Sequence, residues 1–98
     1  MAFYHVVFSM CVTIQGGPQH CEPERMVDTM FHGLVSCYTA AKEVESMTTE
    51  SLKKEAESQN ATLDKVEVKT RCMESREGDA FLKKHGPSAL VITGKKFD

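Results

Sequence analysis

Tyr4-His5-Val6-Val7-Phe8-Ser9-Met10-Cys11-Val12-Thr13-Ile14 carries the strongest structural signal in this chain. Tyr4, Val6, Phe8, Met10, Val12 and Ile14 are apolar. His5, Ser9, Cys11 and Thr13 stand between them, with Val7 the exception. Successive side chains of a strand point to opposite sides, so this period of two predicts a β-strand with one buried face. Gly16-Gly17-Pro18 ends it.

Working outward, Pro23 occupies the place of a first helical residue, with Glu22 and Glu24 favourable to the helix dipole. Met26, Met30, Leu34, Cys37 and Ala41 recur at steps of three and four, and Val27, Phe31, Val35 and Tyr38 widen the stripe. The pattern predicts an amphipathic helix over 23–46 packed on the sheet, with Gly33 inside it at a close helix–strand contact. Residues 47–63 are less patterned. Thr48-Thr49-Glu50 can start a helix, and Leu52 to Ser58 suits a solvated one. Val66, Val68, Thr70 and Cys72 alternate with Glu67, Lys69 and Arg71, which predicts a second strand with charge on its outer face. Ser75 can cap a short helix holding Ala80, Phe81 and Leu82, closed by Lys83, Lys84 and His85 and stopped by Gly86-Pro87. Ala89-Leu90-Val91-Ile92 reads as an interior strand covered on both faces.

The expected fold is α/β in the order β-α-(α)-β-α-β, a single domain over 1–98. A three- to four-stranded sheet carries two or three helices, mainly on one face. Crossovers this long allow parallel, right-handed pairing. An α+β arrangement with antiparallel or ferredoxin-like pairing is the alternative.

Composition narrows the function. At 98 residues, 41% hydrophobic and 27% charged, the chain suits one folded domain with one modest core. A net charge of −2 supplies no bulk basic field for nucleic acid. Local pairs remain at Lys53-Lys54, Lys83-Lys84 and Lys95-Lys96, without the aromatic interleaving that base stacking needs. Nucleic acid is therefore not expected as the main partner. The run from Phe3 to Ile14 is too short to span a bilayer, which takes ~20 apolar residues. No Lys or Arg precedes it, so a signal segment is not expected either.

Several constellations invite a chemical reading. His20, Cys21, His32 and Cys37 are legitimate zinc ligands, yet they form no CxxC or HxxxH. On a helix, His32 and Cys37 diverge by about 140°. Cys21, beside His20, is the best placed thiol for a lowered pKa, and a small thiol-dependent enzyme centred on it is one alternative function. The carboxylates Glu43, Glu45, Glu74, Glu77 and Asp79 have no apolar setting to raise a pKa. Gly16-Gly17 lacks the rest of a phosphate loop. No metal or cofactor is expected. Cys11 and Cys72 fall inside strands, and the four cysteines are expected to be free thiols in a cytoplasmic protein.

The layout also bears on function. A short N-terminal strand at Tyr4 to Phe8, a helix carrying Met30-Phe31-His32 and a strand from Val66 to Thr70 resemble small phage host-takeover proteins. Those include podophage proteins that antagonise a host nucleoid-structuring protein. The resemblance implies a viral, non-enzymatic inhibitor acting by protein–protein contact.

The residues themselves lead to the same class of function, a small binding protein (an adaptor or inhibitor), with a homodimer as one form. With helices on one side, the sheet's other face would show His5, Val7 and Cys11 from the first strand and Lys69 and Arg71 from the second. An apolar centre with a charged rim is the usual anatomy of an interface. His5, Val7, Cys11, Lys69 and Arg71 are thus the expected protein-binding residues. A nucleic-acid-binding module using the Lys pairs is the other alternative.

Overall fold

The computed structural model of the chain describes residues 2–92. Its elements in order are β1 (Phe3–Ile14), β2 (Gln19–Cys21), β3 (Arg25–Val27), β4 (Phe31–His32), α1 (Leu34–Ser58), β5 (Leu63–Glu74), α2 (Gly78–His85) and β6 (Leu90–Val91). They make a mixed α+β domain, with six strands among the described residues where three or four were expected.

β1 is the centre of the sheet. β5 runs antiparallel to it from Tyr4↔Glu74 to Ile14↔Leu63. Three short strands share its other edge, all antiparallel: β2 beside Cys11–Thr13, β3 beside Val7 and Phe8, and β4 beside Phe3 and Tyr4. Among the described residues only β6, alongside β3, is parallel. The expected parallel crossovers are therefore corrected: the two long strands pair antiparallel.

The segment 23–33 is the main departure from expectation. Instead of starting a helix, it supplies β3 and β4. A strand with only β5 beside it would leave half of its N–H and C=O groups without a ladder, and these short pieces satisfy them. Gly33 explains the helix start. Its φ of 102° suits glycine and lies outside the helical region, so a helix cannot run through it.

From Leu34 the helix continues unbroken to Ser58, joining two expected helices into one. It ends on Asn60, which adopts φ 55°. The Ala61 N–H donates to the Ala56 carbonyl at 2.8 Å, and the Asn60 N–H to that of Glu57 at 3.1 Å. Those two bonds form a Schellman motif with Asn in the left-handed position. α2 ends as expected, with Lys83, Lys84 and His85 in its last turn and Gly86 at φ 90°. A 3-10 turn at Ser75–Glu77 precedes it, so Glu77 and not Ser75 stands at the N-cap of α2, without a side-chain capping bond. A second 3-10 turn at Pro87–Ala89 shortens the last strand to two residues, and Ile92 is exposed.

Both faces of the sheet are covered, which overturns the one-sided expectation. Under α1 lie Val6, Phe8, Val27 and Phe31, meeting Cys37, Ala40, Ala41 and Val44 of the helix. On the opposite face Val7, Met26, Met73, Phe81 and Ala89 form a second cluster, with Phe81 and Leu82 supplied by α2. Three of the four inward α1 positions are Cys or Ala, which lets the helix approach the sheet closely.

All four cysteines are paired, Cys11 with Cys21 and Cys37 with Cys72. This corrects the expectation of free thiols. Cys11 and Cys21 are directly opposite on β1 and β2. Cys37, buried on α1, faces Cys72 on the α1 side of β5. Neither proximity is visible in the spacing, because both depend on long-range pairing.

Candidate functional site: the free edge of β5 beside α1

The expected binding residues scatter into different environments. Val7 is 0% exposed in the second core cluster. His5 is also buried, its Nδ1–H donating to the Val27 carbonyl at 2.9 Å. Cys11 is in a disulfide. Arg71 reaches across the sheet face, its Nε and Nη2 donating to the two Glu24 carboxylate oxygens at 3.0 and 3.3 Å. That hydrogen bonding holds the Glu24 carboxyl below its ordinary range and raises Arg71 further. Lys69, also on β5, is exposed. The open part of that face is polar, with Ser9 opposite Lys69 and Thr13 opposite Lys65.

The chemical constellations also come apart. Cys21 and Cys37 sit in separate disulfides, so neither offers a thiolate with His20 or His32. Among the described residues no group of three or more His, Cys, Asp or Glu is placed to hold a metal ion. A thiol enzyme centred on Cys21 loses its nucleophile to the bond with Cys11. Lys53-Lys54 and Lys83-Lys84 lie on helices that cover opposite faces of the sheet, so they make no common basic strip. Lys95-Lys96 lies outside the described residues.

What the structure does assemble is a flank that the sequence reading treated as core. Leu34, Val35 and Tyr38 are 43%, 82% and 54% exposed. Phe3 and Met30 are exposed as well, and the Phe3 ring packs on His32 at 5.3 Å. At about 100° per residue, Tyr38 and Ala56 fall on one line along α1, and Thr49 is only about 20° away. Ala56, Thr49 and Lys53 form one wall of a cleft whose other wall is residues 61–66, at the start of β5. Tyr38 therefore belongs to the β5 side of the helix.

β5 is an edge strand. Among the described residues it pairs with β1 alone. The orientation of its backbone follows from one bond on the far side of β1, where the Met10 carbonyl accepts from the Glu22 N–H at 2.8 Å. Met10 thus points its backbone groups toward β2. Its neighbours Ser9 and Cys11 turn theirs to Lys69 and Glu67 of β5. Along an antiparallel ladder these roles alternate, so Val66, Val68 and Thr70 aim N–H and C=O away from β1.

An inner stripe at Cys37, Ala40, Ala41 and Val44 was present in the sequence at the spacing three, one, three. Its neighbours Leu34, Val35 and Tyr38 make the apolar arc too wide for one buried face, and that excess was the available signal. Among the described residues no helix is long and apolar enough to cross a membrane. The chain matches no family model, no curated protein and no solved structure.

Proposed function

We propose that this is a small non-enzymatic binding protein, an adaptor or inhibitor, that works by protein contact along the flank formed by the outer edge of β5 and the side of α1 next to it. The observation that carries this reading is the coincidence of two features. Large apolar side chains are exposed at Leu34, Val35 and Tyr38, and they stand beside a strand edge twelve residues long. Exposed edges template pairing with another chain, and clustered exposed apolar groups mark interfaces. Together they suit β-strand addition reinforced by side-chain anchors. The likeness to phage host-takeover proteins lends no support, because it rested on a helix carrying Met30-Phe31-His32 and Phe31 and His32 form β4 instead. The face centred on His5 and Val7 is set aside because its centre is core.

The cytoplasmic expectation came from the lack of an expected signal segment, and free thiols went with it. With two disulfides in so short a chain, we propose instead a working compartment that is oxidising, where such bonds persist.

A photo-crosslinking side chain placed at Tyr38 tests the reading. In the native source, position 38 should give a discrete crosslinked protein product, and His20, exposed on the opposite edge of the sheet, should not. Equal crosslinking from both positions, or none from position 38, would contradict it.

A further inference from the structure

We propose that the occupant of this flank is a second copy of the chain, docked antiparallel along β5 with Val68 on the two-fold axis. The inference rests on the flank being the working surface and names its partner.

Helix spacing is the first argument. α1 packs on both β1 and β5, its Cys37 bonded to Cys72. A helix above the boundary of those strands lies about one strand spacing, ~4.8 Å, from an axis running just outside β5. A two-fold there sets two such helices ~9–10 Å apart, the distance at which helices pack. The sheet continues through the axis without a break and the helices meet on one face.

Charge selects the register. Only even-numbered residues aim their backbone outward, so the partners must pair even with even. Centring on Val68 places Glu67 opposite the partner's Lys69, twice by symmetry, and Val66 opposite the partner's Thr70. Lys65 then faces the partner's Arg71, whose charge Glu24 already neutralises. Centring on Glu67 sets that carboxylate against its own copy, and centring on Lys69 does the same with ammonium groups. Centring on Thr70 opposes Lys69 to the partner's Arg71, a pair Glu24 relieves in the same way, and fails instead on Tyr38, which it leaves beside the partner's Glu45, short of the cleft. Like charges directly opposite are destabilising.

Centring on Val66 satisfies the charges but misplaces Tyr38. Cys37 is level with Cys72 through their disulfide. Val68 lies four residues back along β5, about 13 Å, and the antiparallel helix covers that distance in about nine residues, to Ser46. A two-fold at that level brings Tyr38 level with the partner's Lys54, next to Lys53 at the edge of the cleft lined by Lys53, Ala56 and residues 61–66. A two-fold at Val66 would carry Tyr38 past the end of the partner's helix. The Val68 register alone meets both conditions, and it buries the tyrosine ring in a cleft formed by helix and strand.

The test is a charge exchange read by sedimentation equilibrium on the intact, oxidised protein. Wild type should be a dimer. Glu67→Lys and Lys69→Glu should each weaken the dimer by at least about ten-fold, and the double variant should return most of the loss, because the opposite pairs are restored. Both side chains are on the outer face of β5, and circular dichroism of each variant confirms the fold. A wild-type chain that stays monomeric at millimolar concentration, or single variants that dimerise like wild type, would overturn the proposal. A monomer whose position 38 still crosslinks to a different protein would sink self-pairing while leaving the flank as the working surface. A monomer without that crosslink would sink both.

Discussion

Cys37 on α1 and Cys72 on β5 are joined by a disulfide with their Cα atoms 6.1 Å apart. That bond fastens the first turns of the helix to the far end of an edge strand. It fixes the level at which Tyr38 stands beside the strand, so the geometry of the proposed interface is set by a covalent link inside the core.

Removing that link should cost more than removing the other. The Cys37–Cys72 bond closes a sequence separation of 35 and the Cys11–Cys21 bond one of 10. On chain-entropy grounds the first is worth about 4 kcal/mol and the second about 3 kcal/mol. Urea unfolding of Cys37→Ala/Cys72→Ala and Cys11→Ala/Cys21→Ala should rank them in that order. Alkylation of the unfolded protein without reductant should leave its mass unchanged, and added mass would show free thiols.

Val7→Lys should unfold the domain. The side chain is fully buried among Met26, Met73, Phe81 and Ala89, and a lysine there has no carboxylate partner in the cluster. An uncompensated buried charge costs several kcal/mol, a large share of a small domain's stability. A thermal melt should show a loss of cooperative unfolding, and a wild-type melting temperature would mean that α2 does not cover this face.

Phe31→Ala and Leu34→Ala should separate. Phe31 is wholly buried under α1, so truncation should cost about 3–5 kcal/mol. Leu34 is half-exposed at the rim and should cost under ~1.5 kcal/mol in the isolated chain. Equal losses in denaturant titration would return Leu34 to the core.

The Glu24–Arg71 pair should leave a signature in acid. Arg71 lowers the folded-state pKa of Glu24 beneath its ordinary 4.5. A depressed carboxyl stabilises the fold above its unfolded value, and the contribution is lost as pH falls through the folded value. Both groups are more than a third exposed, so solvent screening keeps the effect small. Glu24→Gln should therefore be slightly less stable than wild type at neutral pH and equal to it in strong acid. A stability difference that grows on acidification would contradict the assignment.

How far the sequence disclosed this arrangement can be traced element by element. β1 and β5 are long and, Val7 apart, alternate, so their period overrides every competing signal. α2 was legible from Phe81, the basic last turn and Gly86-Pro87. The segment from Pro23 to Gly33 was not, because Met26-Val27 and Phe31 are apolar at intervals that suit a helix as well as short strands. What decides between them is the empty edge of β1 and the positive φ of Gly33, and neither is local information. The candidate site failed for a related reason. Val7 breaks the alternation of β1, which was read as an exposed apolar contact. It is instead the sign of a second core beneath α2. The disulfides were hidden because the pairing Cys11↔Cys21 needs the β1–β2 register, and Cys37–Cys72 needs the helix seated on β5.

The claim that β5 pairs with another chain is tested most directly by hydrogen exchange at Val66, Val68 and Thr70, measured as protein concentration rises. Their N–H groups point away from β1 and, among the described residues, have no ladder partner in a single copy. Self-pairing predicts that all three become protected together as concentration increases, while Glu67 and Lys69, bonded to β1, stay protected throughout. Fast exchange at Val66, Val68 and Thr70 at every concentration would contradict it.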